Sequence, residues 1–499
     1  MLHEGAHDAR PSERLLQPQP PSYVGFSQPS SGKAVRATYR PTTLPNIALA
    51  IIGETMNALS RLGATAFVAW LARKEKTVVF RSEDELAAIQ SSRLQAMVKH
   101  AWARVPYYRE WMRQAGARPG DLRSAADLQA MPLVDKLALT LEPERFVADG
   151  YENRDGLTLL SSGTSGRRRR FRYDSMALFE ALAAGRRQRI ALSCFVGREA
   201  GYREAMFNRE GSAGVQLRQF WESRMTMPPG VELTRRRLSP SLPFAELLAG
   251  INEFKPAVMR GIGSHMGAFL RWVAETGRPL EKPKAVVYGA DAMPDEDRKV
   301  IEQELGVPVL SIYQTVEALR IGFQCEARQG FHISTDQVIV RVVDAGGRDV
   351  SPGERGELVL TNLTNRAMVV LNYRLGDLVT VSRGRCACGR TLPMIQGIDG
   401  RLDDLIAMPG GTRVHALAIL PGLQAVAGVR QVQLVQEELD GFRLRVVWAR
   451  GCVERPAELV ASMSAVLGER IRVAVEPVEV LDQEPSGKVK SVLCQVPGR

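Results

Sequence analysis

What most constrains this chain is a change of hydrophobic rhythm partway along it. Through the middle, helical stretches alternate with short β-rich runs such as Ala285–Tyr288 and Val307–Tyr313. Such alternation indicates parallel strands with helices packed on the sheet, because a parallel crossover needs a helix-length connection. From Gln337 the pattern turns antiparallel: Val338–Val343, an Ala345-Gly346-Gly347 turn, then Glu357–Thr361. After Arg401 come strands at Val429–Val435, Phe442–Trp448 and Ile471–Val475, with a helix at Pro456–Leu467. The fold class that follows is α/β: a large multi-subdomain N-terminal body with mixed sheets, plus a small α+β C-terminal lid domain.

Residues 1–43 are rich in Pro, Ser and Gln and lack periodicity, so they read as a disordered extension. Residues 44–400 form the expected body and 401–499 the lid, with Gly400–Asp404 as the hinge. Ser82-Glu83-Asp84-Glu85 matches a capping box, and Leu86, Ile89, Leu94, Met97, Val98 and Ala101 continue as a helical stripe. The apolar stretches Ile47–Ile52 and Ala64–Ala72 fall short of the ~20 residues that a membrane span needs. They read instead as a surface helical hairpin.

A chain of 499 residues with a formal charge of +11 carries only a modest basic excess. It permits anionic partners without choosing between nucleic acid and nucleotide phosphates. Six cysteines and a polar, Pro-rich start fit a reduced protein of the cytoplasm.

Candidate chemistry begins at Ser161-Ser162-Gly163-Thr164-Ser165-Gly166, which follows the apolar run Leu157–Leu160 and precedes Arg167–Arg170. Glycines let backbone N–H groups approach an anion, hydroxyls add donors, and arginines bind phosphate bidentately. The Gly-Lys-Ser/Thr ending of a Walker loop is missing. A generic turn followed by a solvated basic run is the competing reading of this segment alone. Further on stand Tyr313-Gln314-Thr315-Val316-Glu317, Tyr373-Arg374-Leu375-Gly376-Asp377-Leu378, Gly400-Arg401-Leu402-Asp403-Asp404 and Pro485-Ser486-Gly487-Lys488.

In this order the segments resemble the signatures of the adenylate-forming superfamily of acyl-CoA ligases and adenylation domains. Val105-Pro106-Tyr107-Tyr108-Arg109, Asp127–Pro132 with Lys136, and Cys386-Ala387-Cys388-Gly389-Arg390 are similar to its phenylacetate–CoA ligase-like branch, which includes capsule-cluster adenylate-forming proteins. The resemblance implies ATP-dependent activation of a carboxylate, in which a nucleophile takes the acyl group from an acyl-adenylate. Ser161, Ser162, Gly163, Thr164, Ser165 and Gly166 would then hold the β- and γ-phosphates. Glu317 would hold magnesium, Tyr313 would stack on adenine beside Gln314, and Asp377 would accept the ribose hydroxyls. Ala290 and Asp291 join the nucleotide site, Arg401 sits near ribose and phosphate, and Lys488 bridges carboxylate and α-phosphate. Asp403 marks the hinge. Tyr288, Gly289, Met266 and Phe269 are the expected walls for an aromatic or small hydrophobic acid, with His265 and His415 as structural residues.

The chain departs from the family pattern in places. Arg167-Arg168 stand where Lys-Pro is usual, Gln314 replaces Gly, Val316 replaces a hydroxyl, and Asp291 stands where Glu is common. Cys325, His332, Cys386 and Cys388 offer a closed tetrahedral set suited to a structural zinc. CoA is the expected acceptor, with a carrier protein or an amine supplied in trans as the alternative. A non-catalytic or nucleic-acid-binding role would draw on Arg167–Arg170 and Arg235–Arg237, yet no aromatic-interleaved basic stripe supports it. The sequence leaves the oligomeric state open, a homodimer included.

Overall fold

The structure, a computed structural model, describes residues 57–161, 168–226, 234–402, 405–410, 412–449, 451–481 and 490–496. Among them, an eleven-stranded mixed sheet organises the body. Its parallel half contains β3 (Glu204–Phe207), β4 (Arg235–Leu238), β5 (Val258–Ile262), β6 (Ala285–Gly289) and β7 (Val309–Tyr313), in the order β4-β3-β5-β6-β7. A separate hairpin of β1 (Gly156–Leu160) and β2 (Arg170–Asp174) precedes it.

The central parallel strands β5, β6 and β7 are mostly apolar because helices cover both faces, whereas the edge strand β4 is Arg-Arg-Arg-Leu and β3 opens on Glu204. Met259, Val286 and Val309 face the helices Phe244–Phe254 and Gly263–Thr276. Their neighbours Val258, Val287 and Leu310 point the other way, onto Ala191 and Leu192 of the helix Arg186–Val196. This two-residue alternation gives the sheet two cores, as strand geometry requires. β7 begins at Val309 rather than Val307, because Pro308 has no N–H for the ladder.

Beyond β7 the sheet becomes antiparallel through β8 (Gly322–Phe323), β9 (Phe331–Ile333), β10 (Val338–Val343), β11 (Arg355–Asn362), β12 (Tyr373–Val381) and β13 (Met394–Arg401). The switch follows Tyr313 directly. The helix Glu83–Arg104 packs its expected stripe inward, and its capping box is formed: Ser82 Oγ accepts from Glu85 N at 3.2 Å while Glu85 Oε2 accepts from Ser82 N at 3.0 Å. Ala64–Ala72 lies in the helix Ala58–Lys74, whereas Ile47–Ile52 and residues 1–43 lie outside the described residues. No described helix is long and apolar enough to cross a membrane.

A smaller unit follows the body. The hairpin β14 (Leu405–Ala407) and β15 (Arg413–His415) leads to a four-stranded sheet of β16 (Val429–Gln436), β17 (Gly441–Trp448), β18 (Arg472–Pro477) and β19 (Val492–Cys494). Leu434, Leu444 and Val446 of this sheet bury against Leu459 and Met463 of the helix Pro456–Leu467. β13 still pairs in the body's sheet as far as Arg401, one residue past the expected edge of the body.

Candidate functional site

One cavity of 3380 Å³ opens at the C-terminal ends of β5, β6 and β7, where parallel sheets place their ligands, and reaches residues 490–495 of the smaller unit. Ser161, Tyr288, Gly289, Ala290, Asp291, Tyr313, Gln314, Glu317, Asp377 and Arg401 all line it. Ser162–Gly166, Arg167, Asp403 and Lys488 lie outside the described residues.

Tyr313, the last residue of β7, donates its hydroxyl to Asp377 Oδ2 at 2.6 Å. Arg401 Nε lies 3.1 Å from Asp377 Oδ1, because the β12–β13 register sets these two residues opposite each other. Gly376 gives the turn that aims Asp377: its φ is +81°, and a Cβ would come within 2.6 Å of Lys136 Nζ. Burial, and then the Asp377 carboxylate, push the Tyr313 phenol well above its ordinary range. The phenol therefore stays protonated and remains a donor.

Glu317 is buried on the segment after β7. Asn362 Nδ2 donates to its main-chain carbonyl at 3.1 Å, and the Tyr173 hydroxyl donates to the carbonyl of Val316 at 2.7 Å. These bonds fix the segment and leave the Glu317 carboxylate facing the cavity, with no side-chain donor on it among the described residues. An oxygen ligand so placed suits a hard divalent cation.

The described residues that flank the glycine segment, Ser161 after β1 and Arg169 before β2, are bonded to each other. Ser161 N donates to Arg169 O at 2.9 Å, and Ser161 Oγ accepts from Arg169 N at 3.0 Å. Arg169 is buried, and its Nε has no partner among the described residues. A buried guanidinium with an open donor fits a phosphate.

Two expected placements differ. Met266 and Phe269 do not line the cavity; both are fully buried with Phe207 in the core behind β5. They lie three apart on the helix Gly263–Thr276, whose inward face packs on the sheet while its N-terminus meets the cavity. Asp291 does line the cavity, but Ser264 holds its carboxylate: Ser264 Oγ donates to Oδ2 at 2.6 Å and Ser264 N to Oδ1 at 3.2 Å. Ala290 turns the chain there with a φ of +71°, a conformation that costs a non-glycine residue energy and concentrates at functional sites.

Cys325, His332, Cys386 and Cys388 meet outside the cavity lining, with every ligand atom within 4.8 Å of the others. Cys325 Sγ and Cys386 Sγ are 3.5 Å apart, and Cys388 Sγ and His332 Nε2 are 3.4 Å apart. The edges of a tetrahedron with ~2.3 Å zinc–sulfur bonds are about that long, so the four fit such an ion. Burial, and then Arg390, push His332 down to about 4, which keeps the imidazole in its ligating neutral form. The four residues come from the segment after β8, from β9 and from the loop between β12 and β13.

The cavity also gathers charges that sequence reasoning does not single out: Arg189, Arg260 and Arg320 around Glu204. A signal existed in Arg186-Arg187-Gln188-Arg189, a basic run at a helix N-terminus, where the macrodipole disfavours cations. Arg235–Arg237, by contrast, are paired with Glu204 at 3.7 Å, Glu253 at 2.7 Å and Glu210 at 3.0 Å, so they form no open basic stripe.

Residues 406–495 match the model of the CapK C-terminal domain. A phenylacetate-coenzyme A ligase of Thermus thermophilus is 28% identical over 390 residues, covering 73% of this chain and 81% of that protein. Its namesake from Escherichia coli is 27% identical over 350 residues, covering 66% and 74%. Among solved structures, 2-hydroxyisobutyryl-CoA ligase in its postadenylation state superposes with a TM-score of 0.65 at 20% identity, over 83% of this chain and 91% of that one. These likenesses and the ordered motifs agree. The chain is thus similar over most of its length to phenylacetate–CoA ligases of the adenylate-forming superfamily, and at its C-terminal end to the CapK C-terminal domain.

Proposed function

We propose that this protein activates a carboxylic acid with ATP and passes the acyl group to CoA. The observation that carries the reading is the convergence of Tyr313, Glu317, Asp377 and Arg401 on one cavity, which Ser161 and Arg169 also line. In the first step a carboxylate oxygen attacks the α-phosphorus, the bond to pyrophosphate breaks, and an acyl-adenylate forms. Negative charge builds in line during that attack, so fixed cations and donors contribute most. Asp377 accepts the ribose hydroxyls, Arg401 holds Asp377 in place and faces the phosphate, and Arg169 takes the leaving pyrophosphate. Lys488 supplies a cation to the carboxylate and α-phosphate. In the second step the CoA sulfur attacks the acyl carbon, its proton is lost, and AMP leaves.

Glu317 is the residue for a magnesium ion, which would neutralise phosphate charge. The Cys325, His332, Cys386 and Cys388 set takes a structural zinc, since all four positions of the tetrahedron are filled. The free cysteines suit the cytoplasm.

Pyrophosphate release, measured with ATP, magnesium and a panel of acids, tests the first step. Release that depends on the acid and falls at least ~100-fold in Lys488→Ala supports the reading. Silence across the panel overturns it. Adding CoA, then hydroxylamine, separates a thiol acceptor from an amine.

A further inference from the structure

Away from Tyr313, Glu317 and Asp377, the cavity wall gathers Arg189, Arg260 and Arg320, with Glu204 the one carboxylate bonded to any of the three among the described residues. Glu204, at the start of β3, is 6% exposed. Arg260 Nε donates to its Oε1 at 2.8 Å, and Arg235 Nε lies 3.7 Å from its Oε2. One carboxylate thus serves two guanidiniums. Arg189 and Arg320 face the same space, and neither has a carboxylate at ion-pair distance among the described residues. Arg320 is held only by neutral oxygens, those of Ala181 at 3.1 Å and Gln314 at 3.4 Å.

Gln188 completes the set. It is 4% exposed, its Oε1 accepts from Arg260 Nη1 at 3.0 Å, and its Nε2 has no partner among the described residues. A buried amide donor left open beside clustered cations is costly unless something occupies it. Burial, and then Arg260 and Arg189, push Arg320 down to about 10, so the guanidiniums repel one another where water cannot screen them. Packing needs would not assemble such a group. A ligand with negative charge relieves it.

We propose that this wall of the cavity binds a second anionic group on the acid being activated. The substrate class is then a carboxylic acid bearing a further carboxylate, sulfonate or phosphate. The Gln314–Arg320 contact connects this wall to the tyrosine segment, so one small molecule spans from the arginines to the reacting phosphate. The rest of its frame is free to be aliphatic or aromatic. The proposal rests on the adenylating reading above and names its substrate more narrowly.

Matched acids test it. Pyrophosphate release is compared for butanoate against butanedioate, and for phenylacetate against 4-carboxyphenylacetate, in the whole protein and in Arg189→Gln. The expected preference in kcat/KM for the acid with the second anion is on the order of 10- to 100-fold, as charge-assisted hydrogen bonds to a desolvated group provide. In Arg189→Gln that ratio falls toward one while the urea midpoint holds or rises, since Arg189 has no carboxylate to abandon. A ratio of one or less in the wild type, or a ratio unchanged in the variant, overturns the proposal. So does a variant that fails to fold, which would make Arg189 a structural residue. A variant that raises KM for CoA or ATP at constant ratio assigns the arginines to nucleotide phosphates and also overturns it.

Calorimetric titration with butanedioate and butanoate, without ATP, separates the two readings. Selective binding of butanedioate that Arg189→Gln abolishes upholds the anion site even where no acid releases pyrophosphate, and then adenylation alone fails. Absence of both selective binding and pyrophosphate release sinks both.

Discussion

Arg187 is the cation on which two buried carboxylates depend. Its Nη1 and Nη2 donate to Asp336 Oδ1 and Oδ2 at 2.8 and 2.7 Å, and its Nε donates to Glu75 Oε2 at 2.6 Å. The three side chains are 1%, 4% and 1% exposed. They fasten the helix Arg186–Val196, which carries Arg189, to the end of the helix Ala58–Lys74 and to the start of β10. Replacing Arg187 by Met keeps the stem and removes the charge. Removing one partner of a buried pair costs about 3–5 kcal/mol. Two carboxylates are stranded here, so a loss in the upper half of that range is expected near pH 7.5.

The pH dependence identifies the cause. In the wild type, burial pushes the Asp336 carboxyl up, but Arg187 outweighs it and holds the group at about 2, below its ordinary 3.8. That contribution is complete above pH 3.8 and is lost as pH falls through about 2. Burial leaves Glu75 above its ordinary range despite Arg187. Without Arg187, burial governs both acids and raises both, so the variant gains stability as pH falls and they take up protons. Urea unfolding followed by tryptophan fluorescence should show the gap between the two proteins narrowing by at least ~1 kcal/mol from pH 7.5 to 5.5. Arg187→Met with Glu75→Gln and Asp336→Asn should recover most of the loss. A loss under ~1 kcal/mol at pH 7.5, or a gap that widens as pH falls, would refute the reasoning.

Three further outcomes follow from the site. Asp377→Ala should lower kcat/KM for ATP by at least ~100-fold at an unchanged far-ultraviolet spectrum, and activity within tenfold of wild type would remove Asp377 from the nucleotide site. Gly376→Ala, which forces a side chain into positive φ and against Lys136, should destabilise by about 1–3 kcal/mol and weaken ATP binding; an unperturbed melting temperature argues against the turn as described. Cys386→Ser should reduce zinc measured by mass spectrometry from about one ion per chain to near zero and lower the melting temperature, whereas wild-type protein with under ~0.2 zinc per chain would discount the metal.

The readable part of this chain was its order. The sheet turns antiparallel already at β8, ahead of the rhythm change read from Gln337, because β8 and β9 are too short to show an alternation; the longer strands from Val338 onward are the part that the sequence makes legible. Tyr313, Asp377 and Arg401 stand far apart in sequence, and their motifs alone signalled that they share a site; the β12–β13 register brings the last two together. The thiol pairs were legible for a similar reason, since a tight Cys-x-Cys is rare enough to stand out. Met266 and Phe269 were misread because apolar residues one helical turn apart look the same facing a core or a ligand. Arg189, Arg260 and Arg320 lie on a helix, a strand and a loop, and only the folded sheet makes them neighbours. No local pattern encodes a charge imbalance assembled from three elements.

The smaller C-terminal unit has a core of its own: Leu434, Leu444, Leu459 and Met463 share no buried cluster with the body. Heating the protein should therefore produce two calorimetric transitions rather than one, and a single melting point would average two different materials. Damage sorts accordingly. A cavity cut at Leu444 would melt the unit that carries Lys488 and leave the nucleotide cradle standing, giving a chain that still grips ATP but cannot use it. In a cell such a chain would sequester nucleotide without turnover, an outcome quite unlike that of losing the body.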